Sequence, residues 1–216
     1  IMIVSISLLF GQNYVNKRYL PIIMGVLGGI ASALKIHGAA YIFTAYLAVA
    51  ASSCSISSIL LFLVSSVLSL SAFFLPDNVL FSGFWGYLSL AGIDHGLSLK
   101  LWIENLIYLV FLSFPFVVFW RGIKLKHTMR LRITLILVIE FLITIVASKY
   151  GNGFYHLMPL IPINAFIIQK LSEVVVVEKG LFKILYVSLI VVSFIVVPLD
   201  FVLPMAKSWH QFNYAQ

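Results

Sequence analysis

The sequence predicts an all-α protein, a polytopic transmembrane helix bundle of about seven to eight spans. Three observations carry that expectation. Hydrophobic residues make up 62% of the chain and charged residues only 10%, against roughly 25% charged in a soluble domain. Uncharged runs recur at lengths close to the ~20 residues that a spanning helix needs. The charges gather in the short connections between those runs, where topology selection places them.

Residues 1–10 read as the tail of a span, and 11–19 as a polar connection carrying Lys17 and Arg18. Residues 20–34 are apolar and rich in small side chains, and the spacing of Gly25 and Gly29 allows one helix to approach another closely. Lys35, Ile36, His37 and Gly38 then interrupt the run. Residues 38–76 carry no charge at all and are long enough for two spans, with the serine-rich segment 52–58 as the turn between them. Residues 77–104 form a long polar-aromatic connection. A span over 105–120 leads into the densest basic connection, 121–132, and a further span covers 133–148.

A polar, glycine-bearing turn follows at 149–156, with Tyr150, Tyr155 and His156 bringing amphipathic rings to a membrane surface. Residues 157–169 are short for a span. They either borrow 154–156 or form a broken segment buried in protein. A polar connection at 169–183 and a last span at 185–198 precede an amphipathic tail at 200–216. The first residue already lies in an apolar run with no charged segment before it, unlike a secretory signal. Residues 1–216 are therefore expected to be one bundle cut from a longer chain, with the tail leading into a further segment.

Counting basic residues gives the orientation. With 11–19 inside and the spans alternating, Lys17, Arg18, Arg121, Lys124, Lys126, Arg130, Arg132, Lys170, Lys179 and Lys183 are cytoplasmic, and only Lys35, Lys100, Lys149 and Lys207 are outside. That asymmetry follows the positive-inside bias. Connections 11–19, 121–132 and 169–183 are then cytoplasmic, and 77–104 and 149–156 lie outside a plasma or inner membrane that the chain crosses several times. Every histidine except His127 falls on the outer side. The net charge of +7 forms no contiguous basic face, which argues against nucleic acid. Cys54 is alone, so it founds neither a disulfide framework nor a cysteine metal cluster.

Glu140 lies roughly 12 Å along its helix from Arg132, and Thr144 and Ser148 continue the same face toward Lys149. Either this acid positions a basic or hydroxyl group near the outer side, or it makes an interhelical hydrogen bond as a neutral carboxyl. Lys149, Tyr155 and His156 suit an anionic headgroup, or else form an interfacial anchor belt. Lys35 and His37 make a second outer corner, or Lys35 merely snorkels. Asp94 and His95 are too few to specify a metal. No cofactor is expected, a divalent metal staying open without support from the sequence, and no phosphate loop, zincin helix or nucleophile elbow is present.

The pattern Lys149-x-Gly-x-Gly-x-x-His156-Leu-x-Pro159-x-x-Pro162 resembles a late outer-loop element of multi-pass GT-C-type glycosyltransferases, the relatives of protein O-mannosyltransferases and the lipid A aminoarabinose transferase. The stretch Asn16-Lys-Arg, then Gly25, Gly28, Gly29, Lys35 and Gly38, is similar to their basic loop, glycine helix and lysine. The resemblance implies transfer of a sugar from a polyprenyl-phosphate donor to an acceptor on the outer face. The catalytic acid would lie in an earlier outer loop, upstream of this segment. Lys149, Tyr155 and His156, with Lys35 and His37, would line the donor headgroup pocket. A transporter or lipid-linked sugar flippase using Glu140, and a structural membrane subunit, are the competing expectations.

Overall fold

The computed structural model describes residues 16–50, 55–76, 80–93, 96–122, 127–149 and 156–174. These residues are helical in seven places: α1 (Leu20–Leu34), α2 (Gly38–Val49), α3 (Ile56–Ala72), α4 (Phe81–Ile93), α5 (Leu99–Gly122), α6 (His127–Ala147) and α7 (Leu160–Val174). An isolated antiparallel bridge joins Leu97 to Lys149. The chain divides into two compact units, Ile1–Ile168 and Gln169–Gln216. Tyr155, the glycines of the 149–156 turn, the Asp94–His95 pair, the 1–10 run and the 200–216 tail lie outside the described residues.

The most extensive helix packing is between α1 and α3, followed by α1 and α2. Small residues make the first of these possible. A Cβ on Gly25 would run into the Phe62 carbonyl oxygen and come within 2.7 Å of the Ser65 Cβ. On Gly29 it would strike the Ser66 carbonyl oxygen and come within 2.7 Å of the Ser69 Cβ. The backbones therefore touch, and the Ser69 hydroxyl donates across to the Val26 carbonyl at 3.0 Å. Phe62 fills the space that remains, its ring 5.4 Å from that of Tyr46 and 4.9 Å from that of Phe43, both on α2.

Local signals set the helix ends. Pro21 falls in the first turn of α1, where a missing N–H leaves no hydrogen bond unmade. Ser55 and Ser58 close a reciprocal capping box on α3, with bonds of 3.2 and 2.9 Å. Ser98 accepts from the Leu101 N–H at 3.4 Å at the head of α5, and the Lys100–Glu104 pair runs along its exposed first turn. The second packed group is the α5–α6 pair, and α2 also packs on α6.

Helices α1, α2 and α3 fall where the apolar runs predict them. The 77–104 connection does not stay irregular. It holds α4, whose thirteen residues carry no charge, and α5 begins at Leu99 because Ser98 caps it there. Helix α6 begins at His127, inside the basic connection, since Arg and Lys are good helix formers. Helix α7 begins at Leu160 and runs through Gln169 to Val174, into what reads as a polar connection.

No helix among the described residues is long and apolar enough to cross a membrane. Helix α1, with 15 residues, rises roughly 22 Å. Helix α6 is longer but carries Arg130, Arg132 and Glu140. Many large apolar side chains are nonetheless exposed. Leu60, Val64, Val67 and Leu68 of α3 face outward, as do Ile103, Ile107, Val110 and Phe111 of α5. Glu140, Thr144, Ser148, Asn105 and Asn164 are buried.

Gly29→Val is expected to lower stability by roughly 1–3 kcal/mol through overpacking against α3. Gly86→Ala on α4, where a Cβ meets nothing within 4 Å, should raise it by about 0.5–1 kcal/mol. Unfolding curves of the two variants against the parent would check both signs.

Candidate functional site

The corner between α1 and α2 is built by three residues. A Cβ on Gly38 would overlap the Ala31 carbonyl, so only glycine lets α2 leave that close to α1. The Ser32 hydroxyl donates to the Ile36 carbonyl at 3.2 Å and accepts from the Ala39 N–H at 3.0 Å. The Gly38 N–H donates to the Lys35 carbonyl at 2.6 Å. This staple holds Lys35 exposed and His37 half-buried at the head of α2.

His37 and Tyr41 lie one helical turn apart and share a face of α2, their rings edge to face at 5.5 Å. Both reach His156, 119 residues along from His37. The Tyr41 hydroxyl donates to the His156 carbonyl at 2.7 Å, fixing the main chain. His37 Nε2 and His156 Nδ1 are 3.0 Å apart and share one hydrogen bond. Behind them Leu157 and Leu160 are wholly buried, which anchors the segment leading into α7.

The electrostatics of this junction follow from burial and one lysine. Burial first, then the Lys35 charge, pushes the His37 pKa down to about 4. The same two causes, and His37 itself, push His156 down to about 3. Burial also lowers Lys35. Both imidazoles are therefore neutral near pH 7, and one donates to the other. The cluster is a single ammonium beside a buried neutral pair. An incoming anion would meet the exposed ammonium, while the ring nitrogens outside the shared bond, His37 Nδ1 and His156 Nε2, are buried behind it.

Of the residues singled out from the sequence, Lys35, His37 and His156 come together. Lys149 is tied through its bridge to Leu97, with the Ser98 N–H donating to the Ser148 carbonyl at 2.8 Å. Tyr155 lies outside the described residues. Glu140, Thr144 and Ser148 do form one stripe, and it is buried. Thr144 donates to the Phe141 carbonyl at 2.7 Å, Ser148 to the Thr144 carbonyl, and the Asn105 amide reaches the Ser148 hydroxyl at 3.4 Å. The Asn164 carboxamide lies beside Glu140. Tyr41, Asn105 and Asn164 were not singled out, being lone polar groups inside apolar runs. No group of three or more His, Cys, Asp or Glu among the described residues could hold a metal ion.

Compared with protein-family models, curated proteins and solved structures, the chain matches none.

Between the folded and free imidazole values the folded chain binds fewer protons than the unfolded one. The contribution of the neutral pair to stability is therefore complete above about pH 6.5 and is lost as the pH falls toward about 4 and then about 3. The unfolding midpoint should drop across that window, and drop less in a His37→Gln/His156→Gln double variant. Nitrogen-15 spectra of labelled histidine should give two neutral rings with a shared proton at pH 7. Imidazolium signals from the pair at that pH would contradict this.

Proposed function

We propose that the chain is part of a GT-C-type membrane glycosyltransferase, with Lys35, His37 and His156 holding the phosphate of a polyprenyl-phosphate sugar donor on the outer face. The observation that carries the reading is the 3.0 Å junction between His37 and His156 beside Lys35. It unites the two segments on which the family resemblance rests. A lysine supplies a compact charge to phosphate and an imidazole supplies a directed N–H.

Membrane placement draws on the distribution of side chains. Large apolar groups face outward on α1, α3, α5 and α6 while the polar stripe lies within, the arrangement a bilayer selects. Helices shorter than the hydrocarbon layer are accommodated by local thinning or by flanking lysines that snorkel, and Lys35 ends α1. Sidedness draws on two contacts. His37 touches His156, and Leu97 bridges to Lys149; each joins segments that the charge count places outside. The 11–19, 121–132 and 169–183 connections are then cytoplasmic.

In transfer, an acceptor hydroxyl attacks the anomeric carbon of the sugar, and the bond from that carbon to the phosphate oxygen breaks. The phosphate leaves with the bonding electron pair, and the Lys35 ammonium and an imidazole N–H steady the charge that builds on it. The acceptor proton passes to an acidic base that is not assigned to a residue of this chain.

Lys35→Ala and His156→Ala in the full-length protein should each lower transfer from a lipid-phosphate donor at least about tenfold, with helical content unchanged. Undiminished turnover in both variants would remove the reading. Lys149→Ala separates the two ends of the 149–156 turn, and a smaller loss than for Lys35→Ala is expected.

A further inference from the structure

The polar stripe of α6 ends on a feature that the transferase reading does not use. Glu140 and Asn164 are both fully buried. They sit side by side, yet both carboxyl oxygens and both carboxamide atoms lack a closed hydrogen bond. Four polar atoms without a hydrogen bond of good geometry at one buried point are costly unless something mediates between them.

Among the described residues, no basic side chain pairs with Glu140. The titratable groups on the helices packed against α6 are Tyr41 and Tyr46 of α2 and Lys100, Glu104, Tyr108 and Arg121 of α5; α7 adds Lys170 and Glu173, and α6 itself His127, Arg130 and Arg132. Tyr41 donates to the His156 carbonyl, and Lys100 faces Glu104 at the surface. Among the described residues, the Asn164 carboxamide is the side chain set against Glu140. A buried carboxylate left in that state would be expelled or neutralised. The group opposite it is suited to neutralisation by a mobile ion. A carboxamide offers a carbonyl oxygen that can ligate a cation or accept from a carboxylic acid, and an NH2 that can donate to the other carboxyl oxygen. Thr144, one turn further along α6 and fully buried, gives its proton to the Phe141 carbonyl and keeps its oxygen lone pairs.

We propose that Glu140 and Asn164 form a buried site for one monovalent cation, a proton or a sodium ion, that neutralises the carboxylate. The site is independent of the Lys35 corner, and its test does not use transfer activity. The full-length protein in lipid nanodiscs is taken through two series. In choline chloride, infrared difference spectra are followed as the pH is raised. At alkaline pH, the unfolding midpoint is followed as sodium chloride replaces choline chloride. A carbonyl band of a neutral carboxylic acid, lost on alkalinisation and missing from Glu140→Gln, assigns the proton. A midpoint that rises with sodium in the parent but not in Glu140→Gln assigns the metal ion. Should Glu140→Gln not fold, Asn164→Leu serves as the comparison, with a shifted band or a lost sodium response expected. The same spectra and midpoints in parent and variants, in both series, would overturn the site.

Discussion

The approach of α1 to α3 through Gly25 and Gly29 is the constraint on which the rest of the described structure depends. Two helices in backbone contact gain dispersion along their whole length, and the Ser69–Val26 hydrogen bond adds direction. With α1 fixed in this way, its far end has one place to go. Gly38 against Ala31 and the Ser32 staple send α2 back along α1. Tyr41 then reaches the carbonyl of His156. The histidine junction is thus set by small residues as far as roughly three helical turns away from it along the chain.

A second feature is that a stripe of buried polar side chains sits within an apolar core, while large apolar side chains also face outward. Buried polar groups on α5, α6 and α7 satisfy one another or their own backbone where they can, as Asn105 does with Ser148. Glu140 and Asn164 are where that satisfaction stops.

Much of the helical order was legible in the sequence, because uncharged runs bounded by turn residues leave few other options. Residues 20–34 are the clearest case: the glycine spacing and the Lys35–Gly38 break each correspond to a structural feature. The 77–104 segment was not legible in the same way. Its glycines and aromatics lower helix propensity, while the absence of charge over 81–93 and the cap at Ser98 favour helix. The site was legible as residue types at two separate corners. That His37 should meet His156 could not be read, since nothing local to either records a partner 119 residues distant. Asn164 escaped notice for a similar reason, its meaning resting wholly on the acid opposite.

The shared hydrogen bond of the two imidazoles leaves its proton a choice of owner. If His37 donates through Nε2, its Nδ1 is bare and His156 carries a proton on Nε2. If His156 donates through Nδ1, the outer nitrogens exchange roles, with no change in net charge. The pair therefore behaves as a reversible dipole with two orientations, both of whose outer nitrogens are buried.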